Sequence, residues 1–244
     1  MVFEMIDGTY RQTNLPNESA EYLAKREELR LAEIELMRQR ERVAELRRNL
    51  PRGATIQDYE FLEGPASLDD GDEPITRVRL SELFTAPDRS LVIYHLMFGK
   101  KQVPACGMCT AWIDTFNGIA QHLAQNLDVA VVAAADVPAL RAFGRSRGWN
   151  KLRLLSAGES TFKYDFGSEN REGEQDPMIS VITRDSDGTL RNFYSVHAQL
   201  GPDIPERGID EYNPIWNIMD LTPQGRGTFY TSLDYGTKVQ IARR

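Results

Sequence analysis

The sequence predicts an α/β fold, a sheet with parallel members covered by helices. Three observations lead there. Two nearly continuous apolar runs, Leu91 to Phe98 and Val129 to Ala134, have the composition of strands buried on both faces. Each run is followed by a segment with helical periodicity, and a strand–helix–strand crossover makes a parallel pair. Further on, Met178 to Thr183 and Thr189 to Val196 flank Asp185-Ser186-Asp187-Gly188, whose turn residues close an antiparallel hairpin.

Taken in order, residues 17 to 50 read as one long helix. Asn17 or Ser19 caps it after Pro16, Glu18 and Glu21 suit the positive end of its dipole, and Pro51 stops it behind Arg47 and Arg48. A heptad count puts Tyr22, Leu29, Leu36, Val43 and Leu50 on one seam, and Lys25, Ala32, Gln39 and Leu46 on the other. Two polar members in the second seam argue against a strong two-stranded coiled coil. At ~1.5 Å rise per residue the apolar seam is longer than a small domain covers. The expectation is a homodimer with this helix at the interface.

After Pro51, Tyr59 to Leu62 and Val78 to Leu80 predict short strands around a Gly/Asp-rich turn, and Ser81 to Phe84 a helical turn. The run at 91–98 is the central strand. Beyond it Trp112, Phe116, Ile119 and Leu123 recur on one helical face, and Trp112 and Trp149 read as core residues. Asp136 caps a helix from Val137 to Arg147 that Gly148 ends. Leu152 to Leu155 predicts another strand, Gly167 to Asp176 a polar loop before the hairpin, and Tyr212 to Asp220 a short helix in a Pro- and Gly-rich tail. The expected organisation is an N-terminal helical arm (1–51), an α/β domain (52–200) and a C-terminal extension (201–244).

Charge and hydropathy exclude some function classes. The balance of 29 Lys and Arg against 36 Asp and Glu, a net charge of −7, argues against a phosphate-backbone binder, so no nucleic acid is expected as a partner. The first twenty residues lack the basic start and apolar run of a secretory signal, and no stretch approaches the ~20 apolar residues of a membrane helix. A cytoplasmic protein with no membrane partner is the expectation.

The chemistry concentrates in "VPACGMCTAW", residues 103–112, which holds both cysteines of the chain, Cys106 and Cys109. A bridge between them closes too small a loop to stabilise the fold much. That leaves reversible dithiol chemistry or metal binding. A free thiol has a pKa near ~8.5, and C-x-x-C turns at helix starts lower it to ~3.5–7.5. Cys106 is therefore the expected attacking thiolate and Cys109, one turn inside the helix, the resolving thiol. Gly107 and Met108 between them are candidate substrate contacts, and Lys100 and Lys101 would add positive potential.

Zinc needs four ligands in a structural site, and only His95, His122 and His197 could join the cysteines. No metal and no cofactor are expected. A thiol peroxidase of the Pro-x-x-x-Thr-x-x-Cys pattern is disfavoured, because Val103 and Cys106 stand three residues before the two cysteines. A binding or scaffold module with an idle dithiol, or a peroxidase of non-standard pattern, stays open.

A strand running into C-x-x-C at a helix start, then strand, helix and hairpin, resembles the thioredoxin fold. More closely, the chain resembles an uncharacterised thioredoxin-like family catalogued as domain of unknown function 899. The segments that carry the likeness are "RRNLPR" (47–52), "DYEF" (58–61), "LVIYHLMFG" (91–99), "CGMC" (106–109), "RGW" (147–149), "FKYDFG" (162–167), "RDSDGTLRNFYS" (184–195) and "MDLTPQGRG" (219–227). The sequence departs from ordinary thioredoxins at Ala105, where an aromatic is usual, and in Gly-Met where Gly-Pro is usual.

The resemblance implies thiol–disulfide exchange on a protein or small-molecule substrate that it does not name. It implies a buried ionisable group on the strand before the cysteines, a place held by His95 or Tyr94, one on each face. His95 also reads as a hydrogen-bonded core residue. Finally it implies a cis-proline facing the dithiol just before the hairpin, where Pro177 stands.

Overall fold

The computed structural model describes residues 4–6, 9–11, 13, 15–202 and 212–235. The expected C-terminal extension is thus described in part, with 203–211 and 236–244 outside the described residues. The chain forms two compact units that meet in sequence at Pro51 and Arg52.

In the first unit, β1 (Glu4–Ile6) and β2 (Thr9–Arg11) form an antiparallel hairpin, which the sequence reading missed, ahead of α1 (Ala20–Arg48). Ser19 is the cap, its hydroxyl accepting the Tyr22 amide at 3.1 Å. The helix buries none of its residues: Leu29 and Leu36 are 52% and 54% exposed. Ion pairs run along its length, among them Arg30 with Glu27 and Arg42 with Glu35.

The second unit is built on β3 (Ala54–Thr55), β4 (Glu60–Glu63), β5 (Thr76–Arg79), β6 (Leu91–Leu96), β7 (Asp128–Ala133), β8 (Arg153–Ser156), β9 (Met178–Arg184) and β10 (Leu190–His197). Its helices are α2 (Gly107–Leu123), α3 (Val137–Arg147), α4 (Phe162–Asp165) and α5 (Pro214–Met219). The sheet order is β3-β10-β9-β6-β7-β8-β4-β5. β6, β7 and β8 are parallel, β9 lies antiparallel to both β6 and β10, and β4 runs antiparallel to β8.

Strand alternation divides the core in two. Tyr94, Leu96, Val131 and Ala133 pack with Trp112, Ile113, Leu140 and Trp149 from the α2–α3 side. Leu91, Ile93, Ala130 and Val132 pack on the other face with Phe61, Leu80, Leu155 and Phe162. The helices are terminated as their sequences dictate. The Asp136 carboxylate accepts the Ala139 amide at 2.8 Å, and Gly148 closes α3 in the left-handed region.

The central strand is shorter than its apolar run. It stops at Leu96, because the Phe98 amide turns back to the Leu96 carbonyl at 3.0 Å. The Phe98 carbonyl then accepts the Ala134 and Ala135 amides at 3.0 and 2.9 Å, which ties the loop after β6 to the end of β7. Gly99 makes this approach possible: at φ 99° an added Cβ would fall 2.2 Å from the Ala135 nitrogen. The loop so anchored delivers the chain to the start of α2.

Candidate active site

Cys106 is the N-cap of α2, with extended backbone (φ −63°, ψ 125°). Its amide donates to the Met97 carbonyl at 3.0 Å, pinning the turn to the end of β6. The first amides of any helix lack intrahelical acceptors. Here those of Met108 and Cys109 point at the Cys106 sulfur. The Cys109 thiol is the strongest donor to that sulfur, and with these amides and the Tyr230 phenol it holds the half-buried Cys106 down to about 6 against burial.

Cys109 behaves in the opposite way. It is 1% exposed, and burial pushes its thiol well above the ordinary range. The bond it donates to Cys106 and the negative charge there push in the same direction, while the Met97 amide and the Tyr94 phenol oppose them. At neutral pH the pair therefore stands as one thiolate and one thiol. Tyr94 itself stays a phenol, its pKa raised by burial first and by the two sulfurs next.

A cavity of about 370 Å³ opens onto both sulfurs. Met108, Tyr94 and Trp112 line it from α2 and β6, Asp176 and Pro177 from the loop just ahead of β9, and His197 from the end of β10. The tail adds Trp216 of α5 and Tyr230 to the wall. Beyond Tyr230 the chain crosses the cysteine turn. The Thr231 amide donates to the Met108 sulfur at 3.3 Å, and an added Cβ on Gly107 would lie 2.9 Å from the Thr231 carbonyl. Arg147 anchors this segment by donating to the Tyr235 hydroxyl at 2.6 Å while it pairs with Asp114 of α2.

The expected site residues are only partly brought together. Cys106, Cys109, Met108 and Pro177 share the cavity. Gly107 faces the tail segment instead of the cavity, because its missing side chain is what lets the Thr231 backbone pass. The Asp176–Pro177 peptide is trans, with the cis bonds at Glu73–Pro74 and Val103–Pro104, so the expected cis-proline is corrected. Lys100 is paired with Glu169.

His95 is corrected as well. Alternation along β6 puts Tyr94 toward α2 and His95 toward α4, on the sheet face away from the dithiol. There its ring stacks on Phe162 and is fully buried, with Nδ1 2.6 Å from the Ser168 hydroxyl and Nε2 3.0 Å from the Ser180 hydroxyl. Ser168 donates its own proton to the Lys163 carbonyl at 3.2 Å. On the Nε2 side the network continues from Ser180 to the Ser195 hydroxyl at 3.0 Å, which donates to the Asn192 side chain at 2.9 Å. Burial holds the ring neutral, well below 6.5.

Two residues that sequence reasoning passed over join the site. Tyr230 reaches Cys106 from the tail, and no local pattern marks it. Lys163 is 1% exposed, and its ammonium donates to the Leu96 carbonyl at 3.3 Å. The only hint in the sequence was a lysine enclosed by Phe162 and Phe166 in a short helical turn. Among the described residues, no group of three or more His, Cys, Asp or Glu side chains is placed to hold a metal ion. No helix among them is long and apolar enough to cross a membrane.

The order β7-β6-β9-β10, with a parallel β6–α2–β7 unit, an antiparallel hairpin and a C-x-x-C opening α2, defines a thioredoxin-like fold carrying a dithiol at its helix start. The chain belongs to the family of bacterial proteins of unknown function DUF899, whose model matches residues 12–239. Solved structures similar to it include reduced Prx3 of Vibrio vulnificus in complex with hydrogen peroxide, 16% identical over 59% of this chain and 83% of its own, TM-score 0.41. AhpC of Enterococcus faecalis is 13% identical over 66% of this chain and 87% of its own, TM-score 0.45. A cysteine-to-serine variant of PrxQ from Xylella fastidiosa is 18% identical over 61% and 86%, TM-score 0.44. A comparison with curated proteins found no match.

Proposed function

We propose that this protein is a thiol–disulfide oxidoreductase in which Cys106 attacks and Cys109 resolves. The observation that carries the reading is the opposite tuning of two sulfurs in one cavity: Cys106 held down to about 6, and Cys109 buried and pushed up. Fold reinforcement gives no reason for that asymmetry. A two-step exchange needs it, since the attacking sulfur must be a thiolate at rest and the resolving one must wait.

The Cys106 thiolate attacks a disulfide RSSR′, forms Cys106–S–S–R and expels R′S⁻. Cys109 then attacks the Cys106 sulfur, its proton ends on the leaving RSH, and the Cys106–Cys109 disulfide remains. The dithiol loses two electrons to the substrate, and an external thiol or dithiol reductant restores it. A cavity of about 370 Å³ admits a small disulfide or the tip of a protein side chain.

Trapping tests the reading. Cys109→Ser should hold partners on Cys106 through a disulfide, and Cys106→Ser should hold none. In the wild type, iodoacetamide at pH 7 should modify Cys106 first and leave Cys109 protected. Equal alkylation of both sulfurs, with no capture by either variant, would mean an idle dithiol and a binding module.

A further inference from the structure

Lys163 is a buried cation that the exchange steps above leave without a task. Its side chain is 1% exposed, and among the described residues it forms no ion pair within salt-bridge distance. Burying an ammonium costs several kcal/mol unless something compensates. Among the described residues its ammonium donates to the Leu96 carbonyl, which the Phe98 amide already satisfies. Capping the end of β6 is therefore a poor reason to keep a charge there.

The peptide that Lys163 touches is shared with the dithiol. Leu96 C=O and Met97 N–H belong to one planar amide group. The carbonyl end accepts from the Lys163 ammonium, and the amide end donates to the Cys109 sulfur. A cation on the carbonyl polarises the amide and makes its N–H a stronger donor. The ammonium thus reaches Cys109 from the opposite side of the strand end. Lys163 is drawn down to about 8 by burial, with Cys109 the foremost group opposing that, so it is charged at neutral pH.

We infer that Lys163 is the positioning residue of the second half-reaction: its charge, carried through the Leu96–Met97 peptide, favours the Cys109 thiolate once Cys106 is tied up in a mixed disulfide. The inference rests on the dithiol reading above. Cys106 and Tyr94 face Cys109 directly; Glu169, Asp176, Lys100 and His95 are the other charged or titratable groups around Lys163. In the resting pair the Cys106 charge keeps Cys109 protonated. Forming Cys106–S–S–R removes that charge, and the Lys163 charge is left to act.

The test follows the full chain reacting with excess 5,5′-dithiobis(2-nitrobenzoate) by stopped flow, one thionitrobenzoate leaving as Cys106 is capped and a second as Cys109 resolves. Lys163→Met and Lys163→Gln should move the pH midpoint of the second phase upward by about one pH unit, slowing it about tenfold at pH 7. Lys163→Arg should restore it. The first phase is the internal reference. A merely structural role would change the melting temperature and leave that midpoint in place, which would overturn the inference. A wild type with no second phase would instead defeat the dithiol reading itself.

The same coupling can be read with the Cys106 charge removed. In Cys106→Ser, adding Lys163→Met should raise the Cys109 midpoint, followed by thiolate absorbance at 240 nm, by about one pH unit. An unmoved midpoint would overturn the inference equally.

Discussion

Cys106 and Tyr230 form the contact that most separates residue-level reading from residue-level fact. A C-x-x-C at a helix start already implies a depressed thiol, because spacing alone places the first sulfur at unpaired amides. The phenol is an addition that only the folded tail supplies. A hydrogen bond to a charged acceptor is worth ~1.5–3 kcal/mol, so Tyr230→Phe should raise the Cys106 midpoint by about one pH unit. Absorbance of the thiolate at 240 nm across pH 4–9 reads this directly, and an unmoved midpoint would remove Tyr230 from the site. Tyr94 and His95 show the limit on the other side. Alternation put them on opposite faces of β6, but which face would receive α2 was not written in the strand.

Among the elements, α1 stands apart because it completes no core of its own. Helices draw most of their stability from packing an apolar face, and here Tyr22, Leu29 and Leu36 stay more than half exposed along a 29-residue helix. The partner best suited to a long, evenly spaced seam is a second copy of it, so α1 is the expected contact of a homodimer. Sedimentation of the full chain should show a dimer, and Leu36→Glu should weaken its association at least tenfold by placing a charge in the seam. A monomer in both proteins would leave α1 without this role. The elements foreseen from sequence were those with strong local signals: the run at 91–96, the period of α2, the Asp136 and Gly148 boundaries of α3, and the Asp-Gly turn. Those missed, β1, β2, β3 and α4, are two to four residues long, too short for a period to register.

For the molecule as a whole, the dithiol couples folding to pH. Cys106 binds its proton less tightly folded, near 6, than unfolded, near ~8.5. Between those values the unfolded chain holds more protons, so stability of the reduced protein rises with pH across that window and the gain is lost as pH falls through 6. Cys109 works with the opposite sign, but only above ~8.5, where its unfolded thiol begins to ionise. Urea unfolding under reducing conditions should show the rise between pH 6 and 8, and Cys106→Ser should flatten it above pH 7, leaving the part that the neutral, buried His95 contributes near 6.5. Equal slopes in the two proteins would mean that the thiolate is no better held folded than unfolded.

The sequence by itself determined what rests on near neighbours: the α/β class, the parallel pair joined by α2, the hairpin, and a dithiol at a helix start. Periodicity, capping and turn chemistry act over a few residues, and each leaves a mark where it acts. Tertiary structure decided the rest. It turned Tyr94 rather than His95 toward the sulfurs, laid Thr231 over Gly107, and brought Tyr230 and Lys163 to the two ends of the site. These contacts join segments far apart in the chain and depend on how layers pack, which leaves no local pattern to read.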